Sequence, residues 1–421
     1  MRAAAALVAA LVLAAACRAD TSGPRADAGP GWPMYRGDLA RDGHPDGVAL
    51  TAEQAAHLQP AWTAHMDGAV DGTPVVAGNT LIAATEMGSI AALDLDTGAT
   101  LWSRSGLGDF SGSAAVAGGV VVAATLTGHV YAFDLRDGRE RWDWRATGNQ
   151  PAIWSSPAIH GKTVLVGVGS QYGDEPLEAG AVVGLELSTG VQAWRFCIES
   201  GCAPGGGVWS SVAVDAAGRA FVGTGNPDDG VYSFEVDTGK KLWAASLHPD
   251  AGQDLDVGAT PIVTFVGGRE VVAVGSDGGL FDMLDAGTGD VIWSRFLVAG
   301  GAVHGLIASP AYDGTSFYVA SASSPTGVFA LDPATGAIQW ERVTELPVYS
   351  APAVGKRVLV FGTGDVFGDD HRGALVALST TDGAAVWTFD THQSVFSAPA
   401  IAGTTLVVGD SGGSVLAFRP L

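Results

Sequence analysis

The chain has 421 residues; sixty are glycine, 47% are hydrophobic, and 44 acidic side chains stand against 22 basic ones for a formal charge of −22. That balance excludes nucleic acid and anionic membrane surfaces as electrostatic partners, since like charges repel. The glycine content and the scarcity of long helical periodicities suit many short strands and turns, in a chain long enough to bury a large core. No second globular unit is evident.

At the N-terminus Arg2 precedes an apolar run from Ala3 to Ala16, too short to span a bilayer, followed by Cys17. This reads as a secretory signal over residues 1–17, and LAAAC is of lipoprotein type, with Cys17 as the lipid-bearing residue although Leu13 stands one position further from it than usual. The expected location is therefore the periplasm or cell envelope, with the membrane reached only through the lipid. Residues 18–31, rich in Ala, Gly, Asp and Pro, read as a flexible tether to a domain over residues 32–421.

Further along, a glycine is followed four residues later by a tryptophan seven times, at Gly98/Trp102, Gly138/Trp142, Gly190/Trp194, Gly239/Trp243, Gly289/Trp293, Gly336/Trp340 and Gly383/Trp387. Successive tryptophans lie 40 to 52 residues apart, the length of one four-stranded propeller blade. Each unit, such as ALDLDTGATLW, reads as a strand, a tight turn needing positive φ at glycine, and a second strand. Upstream of each hairpin an inner-strand motif recurs, from GTPVV at Gly72 to SAPAI at Ser397, eight in all against seven complete hairpins. The last unit stops at VLAFRPL, and the missing strand is available as LQPAWTAHM around Trp62. The sequence thus predicts an all-β, eight-bladed β-propeller in which the eight tryptophans dock between blades and an N-terminal strand closes the last blade.

Ligands of propellers bind at one mouth of the axis, so candidate residues come from the loops there. Three long mid-chain loops carry polar groups: GSQYGDEPLEAG from Gly169, GGGVWSS with GTGNPDD from Gly205, and AGQDLDVGATP from Ala251. Glu175, Asn226, Asp254 and Asp256 are hard oxygen donors of the kind calcium selects, and Trp209 stands outside the hairpin register. Cys197 and Cys202, five residues apart, read as a disulfide in an oxidising compartment; a metal or redox pair is the weaker alternative because no further Cys or His cluster accompanies them.

With these residues in view, the chain resembles the quinoprotein alcohol dehydrogenase family, closest to its polyvinyl-alcohol-dehydrogenase-like branch, from WPMYRGD at Trp32 to the C-terminus. The resemblance implies binding of pyrroloquinoline quinone (PQQ) with calcium. Asn226 of GTGNP and Glu175 match the calcium ligands, Trp209 the tryptophan that stacks on the quinone, and Asp256 of DLD the general base, itself beside the metal. It implies oxidation of an alcohol or polyol, with electrons leaving to a separate acceptor. The pattern differs at Asp277 of GSDGG, where family members place a lysine or arginine, and the chain has neither adjacent cysteines nor a CxxCH haem segment. The noncatalytic alternative is an envelope lipoprotein propeller that grips a protein partner, similar to the propellers that help assemble outer-membrane barrels. Taken singly, Asn226 also suits a turn cap, Glu175 and Asp256 solvated acids, Trp209 a packing residue, and His304 and His371 ordinary loop positions.

Overall fold

The computed structural model describes residues 31–248, 254–365, 367–368 and 371–421. The expected signal segment with Cys17, and all but the last residue of the expected tether, lie outside the described residues. Among those described, eight four-stranded antiparallel sheets follow one another in chain order as the blades of a ring. Blade 1, for example, comprises Val75–Ala77, Thr80–Ala84, Ile90–Asp94 and Thr100–Arg104 from the axis outward. Blade 8 takes Ala400–Ala402, Thr405–Gly409 and Ser414–Pro420 from the C-terminus and its outer strand, Leu58–His65, from the N-terminus. The expected closure is therefore present, and the ring has no open blade.

In all eight blades the third and outer strands pair with a one-residue shift beside the tryptophan, as where Ala92 faces Trp102 and the next residue, Leu93, faces Thr100. Such a bulge increases local twist and re-aims a side chain. Each indole is thereby carried to the next blade: Trp62 Nε1 donates to Leu95 O at 2.9 Å, Trp102 to Leu135 O at 2.9 Å, and so on to Trp387, which donates to Leu58 O at 3.1 Å. The same bond from Trp142, Trp194, Trp243, Trp293 and Trp340 completes a circle of eight. The repeated glycine and tryptophan of one hairpin thus belong to two different contacts. Gly98 has φ 73° and lies under Trp62, where an added Cβ would come within 2.6 Å of the indole ring. At seven of the eight docks glycine serves both the turn and the close approach of the preceding blade, while Trp387 docks at Leu58 of the closing strand.

Residues 32–50 cross the channel and hydrogen-bond to inner strands around the ring. Pro33 O accepts from Val116, Leu39 O from Val214, Ala40 O from Val263, Asp42 O from Tyr312 and Gly43 O from Val354, while Trp32 pairs with Val76. Arg41, fully buried, donates to Val212 O and Pro157 O; Arg36, also buried, donates to Pro310 O and Ala351 O. WPMYRGD is therefore an axial plug whose guanidiniums satisfy strand carbonyls in place of water. Burial pushes the Arg41 guanidinium down to about 10 and Asp38 up to about 7, a desolvation cost to the charged forms that the carbonyl hydrogen bonds of Arg41 offset.

Trp102→Ala removes one dock and its indole hydrogen bond, and is expected to lower unfolding stability by about 3–5 kcal/mol. Trp209→Ala, outside the docking circle, is expected to cost well under half of that. Denaturant unfolding of both variants measures the contrast, and equal losses would contradict the docking assignment.

Candidate functional site

The inner-strand motif builds a chamber on the axis. At one register position the blades contribute Thr73, Ser113, Ser156, Ser211, Thr260, Ser309, Ala351 and Ala398, all of which line a cavity of about 550 Å³. Their hydroxyls link neighbouring blades: the backbone N–H of Thr73 donates to Ser113 Oγ, that of Ser113 to Ser156 Oγ, that of Ser156 to Ser211 Oγ, that of Ser211 to Thr260 Oγ1 and that of Thr260 to Ser309 Oγ, at 2.8–3.0 Å. The run ends at Ala351 and Ala398, which carry no hydroxyl, and Thr73 Oγ1 is left buried without a partner. Tyr35 of the plug donates its hydroxyl to Ser309 Oγ and also lines the chamber.

Two residues earlier in each motif stands a second tier of lining groups: Asp71, Ser111, Trp154, Trp209, Gly258, Ile307, Tyr349 and Phe396. Blades 3 and 4 present indoles, and blades 7 and 8 present Tyr349 and Phe396, with Phe367 packed edge-on to Tyr349. Gly258 lets Trp209 lie across blade 5, since a Cβ there would fall inside the indole ring. Trp154, Tyr349 and Phe396 were not singled out from the sequence; reading this fixed offset from the inner-strand motif would have found them.

Acids meet at the mouth on blades 4 and 5. Asp256 accepts from Trp209 Nε1 at 2.6 Å and from the Asn226 backbone N–H at 3.2 Å, and the Asn226 amide nitrogen donates to Asp254 at 2.8 Å. Asn226 Oδ1 is buried with no partner. Burial, with the charges of Asp254 and Asp229, raises Asp256 to about 7 against the pull of the Trp209 hydrogen bond. Asp277 donates its backbone N–H to Asp256 O at 2.9 Å, and its buried Oδ1 has no partner. Burial and the neighbouring acids push Asp277 well above the usual carboxylate range. Across the ring, on blade 1, burial and a hydrogen bond to Glu86 raise Asp71 to about 8. Among the described residues no lysine or arginine lines the cavity.

The structure thus brings Trp209, Asn226, Asp254, Asp256 and Asp277 to one wall. Glu175 does not join them: it is exposed and outside the lining, while its loop neighbours Asp174 and Leu177, also exposed, border the cavity. Cys197 and Cys202 form a disulfide with Cα atoms 5.2 Å apart, beside the Gly205–Gly207 run that also lies against this wall. His304 reaches Tyr349 Oη at 3.1 Å from an exposed loop, and His371 is exposed.

Whether PQQ and calcium suit the chamber is decided by these groups. The unpartnered Asn226 Oδ1 and the carboxylates of Asp256 and Asp254 are hard donors suited to calcium, and Trp209 offers a flat face. Among the described residues no three His, Cys, Asp or Glu side chains already converge on one metal position, so the amide oxygen is needed to complete a set. At Asp277, where the family pattern has a cation, burial and the neighbouring acids disfavour the charged carboxylate. The groups present fit a hard cation with a flat cofactor, with Glu175 outside the set.

No curated protein sequence matches the chain significantly. Among solved structures it is similar to the quinohemoprotein alcohol dehydrogenase of Comamonas testosteroni, at TM-score 0.79 and 18% identity over 93% of this chain and 80% of that one. A europium-containing methanol dehydrogenase follows at 0.78 and 18%, over 93% and 98% of the two chains. BamB from Moraxella catarrhalis is similar at 0.66 and 18%, over 86% and 97%. At these identities the likeness shows a shared fold. The family described as outer membrane protein assembly factor BamB matches residues 50–202, 178–352 and 283–421, and the chain belongs to this PQQ-repeat β-propeller family.

Proposed function

We propose that the protein is an exported, lipid-anchored propeller of the cell envelope that oxidises an alcohol or polyol with PQQ and calcium held in the axial chamber. The observation that carries this reading is the meeting of Trp209, Asn226 and Asp256, from two interblade loops and one loop within blade 4, at the mouth of a cavity of about 550 Å³. Quinone-bearing dehydrogenases of the same fold support it.

When bound, PQQ would supply an electrophilic carbonyl able to take two electrons from an alcohol, and calcium would act on it as a Lewis acid, with a separate acceptor to reoxidise the quinone. Asn226 Oδ1 and the carboxylates of Asp256 and Asp254 would hold the cation, and Trp209 would support the flat ring. Asp256 would take the proton of the substrate hydroxyl, a role suited to a carboxyl poised near neutrality. Asp277 lines the same wall where the family uses a cation, and its burial disfavours the charged form. The tier of Trp154, Tyr349 and Phe396 narrows the chamber.

A second reading, a noncatalytic scaffold for an envelope protein partner, is favoured by the match to the BamB family and by the exclusion of Glu175 from the chamber. Tryptophan fluorescence titrated with PQQ separates the two. Dehydrogenase function predicts saturable, calcium-dependent quenching and dye reduction with alcohols, whereas the scaffold reading predicts neither and instead recovery of an envelope protein in a pull-down. Asn226→Ala is expected to weaken calcium-dependent binding about tenfold, and Asp256→Asn to lower kcat by about a hundredfold or more with a smaller loss of binding.

The pH profile checks the base directly. Asp256 acts only when ionised, and its carboxyl titrates at about 7, so kcat/KM is expected to rise with pH through neutrality. Raising calcium favours the carboxylate and shifts that limb to lower pH. Asp256→Asn should abolish the limb, and an unchanged limb would assign the titration to another group.

A further inference from the structure

On the wall facing Asp256 the chamber has a second polar site that neither the quinone nor the calcium reading uses. Blades 1 and 5 stand opposite each other in a ring of eight. Blade 1 supplies Asp71, Glu86 and Thr73, all lining the cavity. Asp71 and Glu86 are close enough to share a hydrogen bond, and burial together with that contact disfavours ionisation of both carboxyls at once. Thr73, two residues after Asp71 on the same inner strand and only 3% exposed, has a buried Oγ1 without a partner.

What would occupy such a site is constrained by charge and by donor count. An anion finds no lysine or arginine among the described residues of the lining. A metal ion finds only two carboxyls here, and no three metal-ligating side chains converge among the described residues. A group bearing several N–H donors and one positive charge meets three acceptors at Asp71, Glu86 and Thr73, and balances the charge of the pair. Beyond it the same tier carries Trp154, Tyr349 and Phe396, whose faces favour a cation and an apolar or aromatic body.

We propose that Asp71, Glu86 and Thr73 form a binding site for a primary ammonium group, with the aromatic sector of the chamber seating the rest of a small organic amine. The site stands independently of the quinone reading: it needs neither PQQ nor calcium, and Asp256 takes no part in it. As a ligand site it makes the chamber a receptor for small cations, whatever is bound at the blade 5 wall.

The test uses benzylamine and its uncharged counterpart benzyl alcohol, followed by calorimetry and by the fluorescence of the chamber tryptophans, without PQQ or calcium. Benzylamine is expected to bind saturably at millimolar concentration or below, and benzyl alcohol at least about tenfold more weakly. Asp71→Asn combined with Glu86→Gln is expected to weaken the amine by at least about tenfold, and Thr73→Val by a smaller factor, while Asp256→Asn binds as the parent does. Melting temperatures of the isosteric variants report whether they fold. Failure of benzylamine to bind, equal binding of the alcohol, indifference to the Asp71 and Glu86 replacements, or a loss confined to Asp256→Asn would each overturn the proposal. The quinone reading fails on a different result, absence of PQQ quenching in calcium, so the two outcomes are separate.

Discussion

Every other feature of this molecule depends on a tryptophan reaching out of its own blade. In seven of the eight docks the indole lies over the turn glycine of the next hairpin and donates its N–H to a carbonyl there; blade 7 docks instead on Leu58 of the closing strand, whose Trp62 passes the contact on to Leu95 of blade 1. A blade alone exposes two apolar faces and two strand edges. Docking covers the faces, and recruiting Leu58–His65 removes the need for a free terminal blade. The plug adds a second closure at the axis, where Arg36 and Arg41 draw carbonyls from distant strands onto two buried cations.

Ring closure also dictates what the centre can be. Because each inner strand enters in the same register, one sequence position recurs as a circle of hydroxyls and another, two residues earlier, as a circle of larger groups. The first circle is used for cohesion, with five consecutive interblade links from Thr73 to Ser309. The second is free to vary, and it divides the chamber into an aromatic sector, an acid wall at blades 4 and 5 and a carboxyl pair at blade 1. Side chains 47 residues apart, such as Trp209 and Asp256, meet because the blades that carry them are neighbours.

How far this was legible before the structure follows from the range of each interaction. The blade count, the closing strand and the docking tryptophans repeat with the blades, so the period exposes them. Trp209, Asn226 and Asp256 announced themselves by chemistry in long loops, and their convergence follows from adjacent blades. Glu175 lies outside the cavity lining, since a loop's direction is decided by its own backbone path, and its neighbours Asp174 and Leu177 border the cavity instead. Arg36 was invisible as an axial tie, since its partners at Pro310 and Ala351 lie across the ring. Asp277 read as an anion in sequence; burial, a property of the fold alone, pushes its carboxyl well above the usual range.

The central claim is that the closed ring assembles a cation position between Asn226 Oδ1 and the carboxylates of Asp256 and Asp254. Anomalous diffraction from crystals soaked in a trivalent lanthanide, a heavy and hard-oxygen-seeking stand-in for calcium, locates such a position without reliance on activity. The account predicts an anomalous peak within coordination distance of Asn226 and Asp256. Peaks found only at surface acids, or a chamber in which these two side chains point apart, would contradict it.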